Sequence, residues 1–301
     1  MYYNSLNNYL KERFGTKVYK LSLNAGLTCP NRDGKISNEG CIFCSAGGSG
    51  DFASNCSLSI TDQIESAKER VSKKITNGSY IAYFQAFTNT YGPIEFLRKI
   101  FYEAINHKDI VALSIATRPD CLPEEVICLL DELNHIKPVF VELGLQTTND
   151  ATAKYINRGY ELKCFDDAVY ALNSININVV VHVIIGLPGE SETDVYNTIN
   201  HISTLPINGV KLQLLHVLKN TKLAVDYNNN LFETLKMDDY IKIVAHCIEL
   251  LPRDIVIHRM TGDGPKSLLI APTWSLNKKN VLNTLNNYLK SNDITQGSKT
   301  L

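Results

Sequence analysis

A chain of 301 residues with 44% apolar side chains is long enough to bury a sizeable core. Its 30 Lys and Arg against 31 Asp and Glu leave a formal net charge of −1, which excludes a globally basic nucleic-acid binder and leaves only local patches for such a partner. No run approaches the roughly 18 consecutive apolar residues of a membrane span, and Lys11, Glu12 and Arg13 interrupt any leader-like stretch, so a cytoplasmic protein without a membrane partner is expected.

In chain order, Tyr3, Leu6, Leu10 and Phe14 fall at helical spacing and predict an N-terminal helix within residues 1–16. Short apolar, β-rich runs then alternate with longer amphipathic stretches. Residues 18–23, 80–84, 110–115, 139–145, 179–185 and 210–217 read as six strands. Residues 61–74, 93–106, 123–133, 149–157, 164–174, 191–204 and 236–251 read as helices, with Thr61 and Ser191, each followed by an acidic residue, as N-caps. The near-continuous hydrophobicity of residues 178–185 fits a strand covered on both faces. The alternation predicts one α/β core over residues 17–256 built on a parallel sheet, followed by a small C-terminal extension over 257–301.

The cysteines narrow the chemistry. Cys29-Pro30-Asn31-Arg32 and Cys41-Ile42-Phe43-Cys44 supply three thiols at close spacing, and a second Cys pair is missing. Structural zinc takes four protein ligands and catalytic zinc takes three with a water, so zinc remains the alternative. A [4Fe–4S] cluster takes one ligand per iron, and three thiolates leave one iron for a ligand that is not protein, such as S-adenosylmethionine. The spacing favours this cluster over zinc and over a structural disulfide. Cys56, Cys121, Cys128, Cys164 and Cys247 are scattered singly, as free thiols are in a reducing setting. In βα folds the chemistry gathers at the C-terminal ends of the strands, which places Gln85 to Tyr91, Thr117 to Asp120, Gln146 to Thr148 and Gly186 to Glu190 around one pocket.

The two cysteine segments, Thr117-Arg118-Pro119-Asp120, Glu142-Leu143-Gly144-Leu145-Gln146 and Gly186-Leu187-Pro188-Gly189-Glu190, in this order, resemble the radical SAM superfamily. Within it the chain resembles the YtqA/YhcC-like branch, related to the Elongator catalytic subunit. That likeness includes His258 to Pro265, Ala271 to Trp274 and the eleven residues between Cys29 and Cys41. The resemblance implies a partial (β/α)6 barrel in which Cys29, Cys41 and Cys44 hold three irons and the methionyl group of S-adenosylmethionine binds the fourth. It also places Phe43 and Ile184 to Gly186 near the adenine and Gln146 near the ribose or methionyl part. Glu142 would share that face, with an ion-paired strand residue as the alternative. Gln85 stands where the superfamily usually has Gly-Gly-Glu, and Tyr160 stands where related sequences often have histidine.

The chemistry implied is a 5′-deoxyadenosyl radical that removes a hydrogen atom from the substrate, with an electron donor such as flavodoxin or ferredoxin. The branch points to tRNA and to the carbon-5 substituent of the wobble uridine, remodelled from carboxymethylaminomethyl toward aminomethyl, with no room for an acetyltransferase domain. Lys68 to Lys74, Lys278, Lys279 and Lys290 are basic segments for such a partner, and Tyr80, Tyr83, Phe87 and Tyr91 are aromatics able to stack a base. His182, His216 and His258 are candidates to orient substrate, each with a satisfied histidine as the simpler reading. A radical SAM enzyme on a small molecule or protein, or a non-catalytic iron–sulfur or metal sensor, stand as alternatives.

Overall fold

The computed structural model describes residues 2–72, 78–262 and 264–300. Strands β1 (Val18–Leu23), β2 (Ser79–Phe84), β3 (Ile110–Thr117), β4 (Val139–Gln146), β5 (Asn178–Ile185) and β6 (Gly209–Leu214) lie where the apolar runs place them. All pair in parallel, in sequence order. The sheet has seven strands and not the expected six. After β7 (Val217–Leu218) comes β8 (Val256–Arg259), which pairs in parallel with β6 at the edge. Four residues carry too little periodicity to announce a strand, and the expected boundary at residue 257 falls inside β8. The run expected as one strand over 210–217 also breaks, because β7 leaves the main sheet to pair antiparallel with β9 (Leu269–Ala271). The seven parallel strands curl into a half-barrel.

The helices are α1 (Leu6–Phe14), α2 (Ile60–Ser72), α3 (Ile94–Ile105), α4 (Glu124–Asn134), α5 (Asp150–Tyr155), α6 (Leu162–Ser174), α7 (Glu192–Ser203), α8 (Lys222–Asn228), α9 (Met237–Leu250) and α10 (Lys278–Ser291). Sequence periodicity missed α8, which is short, and α10, whose Lys and Asn content masks an apolar stripe at Val281, Leu285 and Leu289. The cap of α2 is Ser59 and not Thr61, since the Asp62 amide donates to Ser59 Oγ at 3.0 Å. Ser191 does cap α7, reciprocally with Asp194 in a capping box. Ser191→Ala should therefore lower stability by about 1 kcal/mol, read as a lower thermal midpoint.

Two apolar layers position the site. Outside the half-barrel, Phe84, Ile115, Val141 and Val181 of the strands pack with Phe101, Leu129, Leu172 and Val244 of the helices. Inside, at the N-terminal ends of the strands, Ile81, Ala112, Phe140 and Val180 meet Leu10 of α1, which closes the floor. Helix α1 is itself fixed at both ends, by the Ser5 side chain accepting from Asn8 N and by Gly15 in the left-handed region donating to Lys11 O. The interior above this floor is polar.

Candidate active site

The loop after β1 has no regular structure and is held by specific hydrogen bonds. Ile36 N donates to Pro30 O (2.8 Å) and Gly40 N to Asn31 O (2.7 Å), so residues 30–40 fold back on themselves. Asn31 is fully buried and its Nδ2 reaches Asn157 O (2.5 Å) and Cys41 Sγ (3.6 Å). Asn157 returns a bond from Nδ2 to Gly40 O (2.8 Å), which ties the cysteine loop to the segment after α5. Arg32 Nη2 donates to Cys44 O (3.1 Å) and Ser45 O (2.6 Å), and its guanidinium lies 5.6 Å from the centre of the Phe87 ring. The eleven-residue spacing thus houses the residues that fix Cys41 and Cys44.

A hydrogen bond between the sulfurs of Cys44 and Cys41 lowers the Cys44 thiol and raises that of Cys41, and burial raises both. Arg32 lowers Cys44, and Arg118 lowers Cys41. Among the described residues, the three cysteine sulfurs are not all within 4.8 Å of one another. A single tetrahedral zinc, with Zn–S near 2.3 Å, would draw its sulfurs to roughly 3.8 Å. The described group that is close enough for one ion is Glu65, His107 and Asp109, but the Lys68 ammonium already binds Glu65 (2.9 Å) and Asp109 (2.5 Å) there.

Cys29, Cys41 and Cys44 line one cavity of about 230 Å³, together with Phe43, Gln85, Glu142, Gln146 and Ile184. Of the residues expected at the site, Gly186 is off this wall. Its φ of +92° turns the chain at the end of β5, and a Cβ there would meet Leu235 Cδ1 at 3.0 Å, so it serves the turn and its packing. Gln85 Nε2 donates to Ser49 O (2.9 Å), linking the end of β2 to the cysteine loop.

Gln146 adopts φ of +66°, and the β4–β5 register shifts between Gly144 and Gln146. A Cβ at position 144 would lie 2.5 Å from Gln146 Nε2, so only glycine leaves room for this side chain. Tyr160 holds the arrangement, its one hydroxyl proton directed at Gly144 O with Gln146 Oε1 also within 3.2 Å. Its ring lies between two guanidiniums, Arg118 at 4.9 Å and Arg158 at 4.7 Å. Arg158 is buried, and its Nη1 donates to Leu145 O (3.2 Å) and Thr147 O (2.7 Å), the carbonyls flanking Gln146. Arg118 in turn donates to Arg158 O (2.9 Å) and forks onto Asp120 (2.9 and 2.7 Å). Sequence reasoning placed Arg118 among the strand-end residues around the pocket, but assigned no role to Arg158 or Tyr160. The signal available was the Arg118-Pro119-Asp120 and Arg158-Gly159-Tyr160 motifs themselves.

Glu142 sits deeper and its side chain is fully buried. Oε1 accepts from Lys20 Nζ (2.5 Å) and Ser114 Oγ (2.7 Å), and Oε2 accepts from Tyr83 OH (2.9 Å), His182 (2.8 Å) and Lys211. Burial raises its carboxyl, but Lys20, Lys211 and His182 outweigh that and hold it well below the usual carboxylate range. It is thus an ion-paired strand residue, and it also faces the cavity. His182 is pushed down to about 4 by burial and by Lys211. His216 lines the cavity wall, and His258 lies on the edge strand β8.

Of the aromatics, Tyr80 packs in the outer core, Tyr83 belongs to the Glu142 cluster, Phe87 lines the cavity, and Tyr91 lies under the Lys35 ammonium at 5.2 Å. Lys73 and Lys74 lie outside the described residues, while Lys279 and Lys290 are exposed on α10. No helix among the described residues is long and apolar enough to cross a membrane.

A family profile of the radical SAM superfamily matches residues 33–202, and a radical SAM C-terminal domain profile matches residues 207–291. The chain belongs to the radical SAM superfamily. This radical SAM protein is 44% identical over 295 residues to the uncharacterized protein YtqA of Bacillus subtilis, covering 98% of the chain and 92% of that relative. It is 25% identical over 171 residues to a tRNA uridine(34) acetyltransferase of Methanocaldococcus infernus, covering 56% of the chain and 31% of that protein. The fold matches the solved structure of M. infernus Elp3 lacking residues 1–46 with a TM-score of 0.70 at 17% identity, over 93% of this chain and 64% of that one. Radical SAM enzymes use a [4Fe–4S] cluster and S-adenosylmethionine. The three thiols and the adjoining polar and apolar walls of one cavity fit that pair.

Gln146→Ala is expected to leave iron content near normal and to weaken S-adenosylmethionine binding by about 1 to 3 kcal/mol, measured anaerobically by equilibrium titration. Unchanged affinity would remove Gln146 from the cofactor site.

Proposed function

We propose that this radical SAM protein acts in the cytoplasm on the carbon-5 substituent of wobble uridine in tRNA, remodelling carboxymethylaminomethyl toward aminomethyl. In this reading Cys29, Cys41 and Cys44 hold three irons, and the fourth takes the methionyl amine and carboxylate of S-adenosylmethionine. When bound, the cluster and S-adenosylmethionine supply a 5′-deoxyadenosyl radical that removes one hydrogen atom from the substrate, with the electron coming from a donor such as flavodoxin or ferredoxin. Phe43 and Ile184 offer apolar contact to the adenine. Gln146, aimed by Tyr160 and Gly144, orients the ribose or methionyl part, and Gln85 closes the opposite wall. Water is kept out by the cysteine loop that Arg32 and Asn157 clamp over the strand ends.

The observation that carries the reading is the single cavity in which three thiols, two glutamines and an apolar wall meet above a polar interior. The likeness to a tRNA uridine(34) acetyltransferase over 56% of the chain supports tRNA as the substrate class. Mass spectrometry of wobble nucleosides from a strain lacking the gene tests it, with carboxymethylaminomethyluridine expected to accumulate. Unchanged nucleosides, alongside S-adenosylmethionine cleavage by the purified protein, would overturn the tRNA assignment and leave a small-molecule or protein substrate.

Binding should also respond to salt. Removing the charge of Lys279 or Lys290 is expected to flatten the logarithmic salt dependence of tRNA affinity by nearly one unit each, measured by filter binding. An unaltered slope would take α10 out of the interface.

A further inference from the structure

The cysteine loop buries an asparagine beside one of its sulfurs. Asn31 is fully enclosed, and its Nδ2 lies 2.5 Å from Asn157 O and 3.6 Å from Cys41 Sγ, within hydrogen-bond reach of both. The orientation of this amide is forced. Turned over, it would set Oδ1 against the Asn157 carbonyl, acceptor on acceptor at 2.5 Å, so nitrogen is the atom that lies there. The amide nitrogen carries two hydrogens, and with one directed at Asn157 O the other is left for the sulfur.

Closing the loop does not account for that second hydrogen. The backbone closes it through Gly40 N to Asn31 O (2.7 Å) and Ile36 N to Pro30 O (2.8 Å), bonds that survive any side chain at position 31. Asn157 Nδ2 adds its own bond to Gly40 O (2.8 Å). Burying the Asn31 amide also carries a cost, since its Oδ1 has no described hydrogen-bond partner. Gly159 leaves the room for it: a Cβ there would press on Asn31 Oδ1 at 3.1 Å.

The role of the contact changes with the state of the sulfur. As a thiol, Cys41 has Asn157 O as an acceptor at 3.6 Å. A cysteine that holds an iron is a thiolate, with no proton to give, so its sulfur only accepts. Asn157 O then keeps the first Asn31 N–H, and the second points at the ligating sulfur. Hydrogen bonds to the sulfurs of an iron–sulfur site set part of its reduction potential, because a donor favours the more negative, reduced form. Enclosed with Asn31, this donor is not exchanged for one from water.

We propose that Asn31 donates an N–H···S hydrogen bond to the Cys41 thiolate and thereby raises the reduction potential of the bound cluster. The inference rests on Cys41 as an iron ligand. The single electron from the donor is then accepted at a less negative potential than the three thiolates alone would set, with no bond made or broken in the protein.

Redox titration of the anaerobically reconstituted chain, without S-adenosylmethionine, tests this. Titanium(III) citrate serves as the one-electron reductant, and the electron paramagnetic resonance signal of the reduced cluster is the readout. Asn31→Leu keeps the shape of the side chain and removes both N–H groups. Its equilibrium constant for reduction should fall about fivefold, a shift of about 40 mV to more negative potential at roughly 59 mV per decade, with iron and sulfide content unchanged. Asn157→Gly is the control. Glycine takes the φ of +54° freely, loses the side-chain bond to Gly40 O and keeps the carbonyl that faces Asn31, so its potential should stay that of the wild type. An unmoved or less negative potential in Asn31→Leu overturns the proposal. So does an equal shift in Asn157→Gly, which would trace the effect to a loosened loop.

If Asn31→Leu fails to assemble its cluster, the wild type decides. With nitrogen-15 in the asparagine side-chain amides, hyperfine spectroscopy of the reduced cluster should show a nitrogen-15 coupling, and its absence overturns the bond. Cys41→Ala separates the proposal from the reading beneath it. Full iron content in that variant overturns the ligand assignment and the proposal with it. Loss of iron there, beside an unmoved potential in Asn31→Leu, leaves Cys41 a ligand and takes Asn31 out of the redox chemistry.

Discussion

Alanine at Cys29, Cys41 or Cys44 is expected to abolish the brown chromophore of anaerobically reconstituted protein and to bring 5′-deoxyadenosine formation to background. Cys121→Ala and Cys247→Ala should retain both. The contrast is physical. The three loop thiols share one cavity wall, which neither Cys121 nor Cys247 lines, and the Cys41 sulfur and Arg32 lower the Cys44 thiol. Cys121 and Cys247 are buried away from that wall, Cys247 within α9, and burial raises both thiols. The Cys247 substitution removes a buried sulfur and should cost about 1 kcal/mol of stability without touching the cluster. Iron and sulfide analysis with chromatographic assay of deoxyadenosine reads both effects. Full activity in Cys41→Ala would end the cluster assignment.

The second large effect is expected at Glu142. Glu142→Gln leaves Lys20 and Lys211 facing each other in the interior without their shared counter-charge, a loss of about 3 to 5 kcal/mol when one partner of a buried ion pair is removed. The pH dependence follows from the direction of the shift. The Glu142 carboxyl is held below its ordinary value, so the unfolded chain binds the proton more readily. Its stabilisation is present in full above the unfolded value of about 4.3 and is lost as pH falls through the lower folded value. Lys211, lowered to about 7, acts at the other end: between there and roughly 10.4 the unfolded chain holds more protons, so stability rises with pH across that window. Urea unfolding of the wild type and Glu142→Gln at acid, neutral and alkaline pH measures both arms. A variant as stable as the wild type at neutral pH would show that the pair is not what holds the half-barrel interior together.

Much of this molecule is legible in its residues. Apolar runs of five to eight residues locate β1 to β5 to within two residues, because a parallel strand covered on both faces is apolar throughout. Three closely spaced cysteines bound the metal chemistry, and the strand-end motifs bound the family, since each is local in the chain. Gln85, Gln146 and Ile184 at strand ends, and Phe43 in the loop that follows β1, reach the cavity because a βα fold gathers its loops at that edge of the sheet.

Other features were decided only when the sheet curled. Lys20, Ser114, Glu142, His182 and Lys211 are polar interruptions in apolar strands, and nothing in the spacing within any one strand says that five strands turn these positions toward one point. That meeting depends on inter-strand register and on the direction of curvature, which are set by packing against α1 below and the helix layer outside. Likewise Gly186 and Gln146 both end strands, yet the turn at Gly186 packs under Leu235, whereas the shifted register at Gly144 and the Tyr160 hydroxyl aim Gln146 into the cavity. The sequence by itself determined strands β1 to β5, the thiols and the family. The tertiary structure decided which polar side chains share a charge, because electrostatic coupling depends on separation in space and chain position carries no record of it.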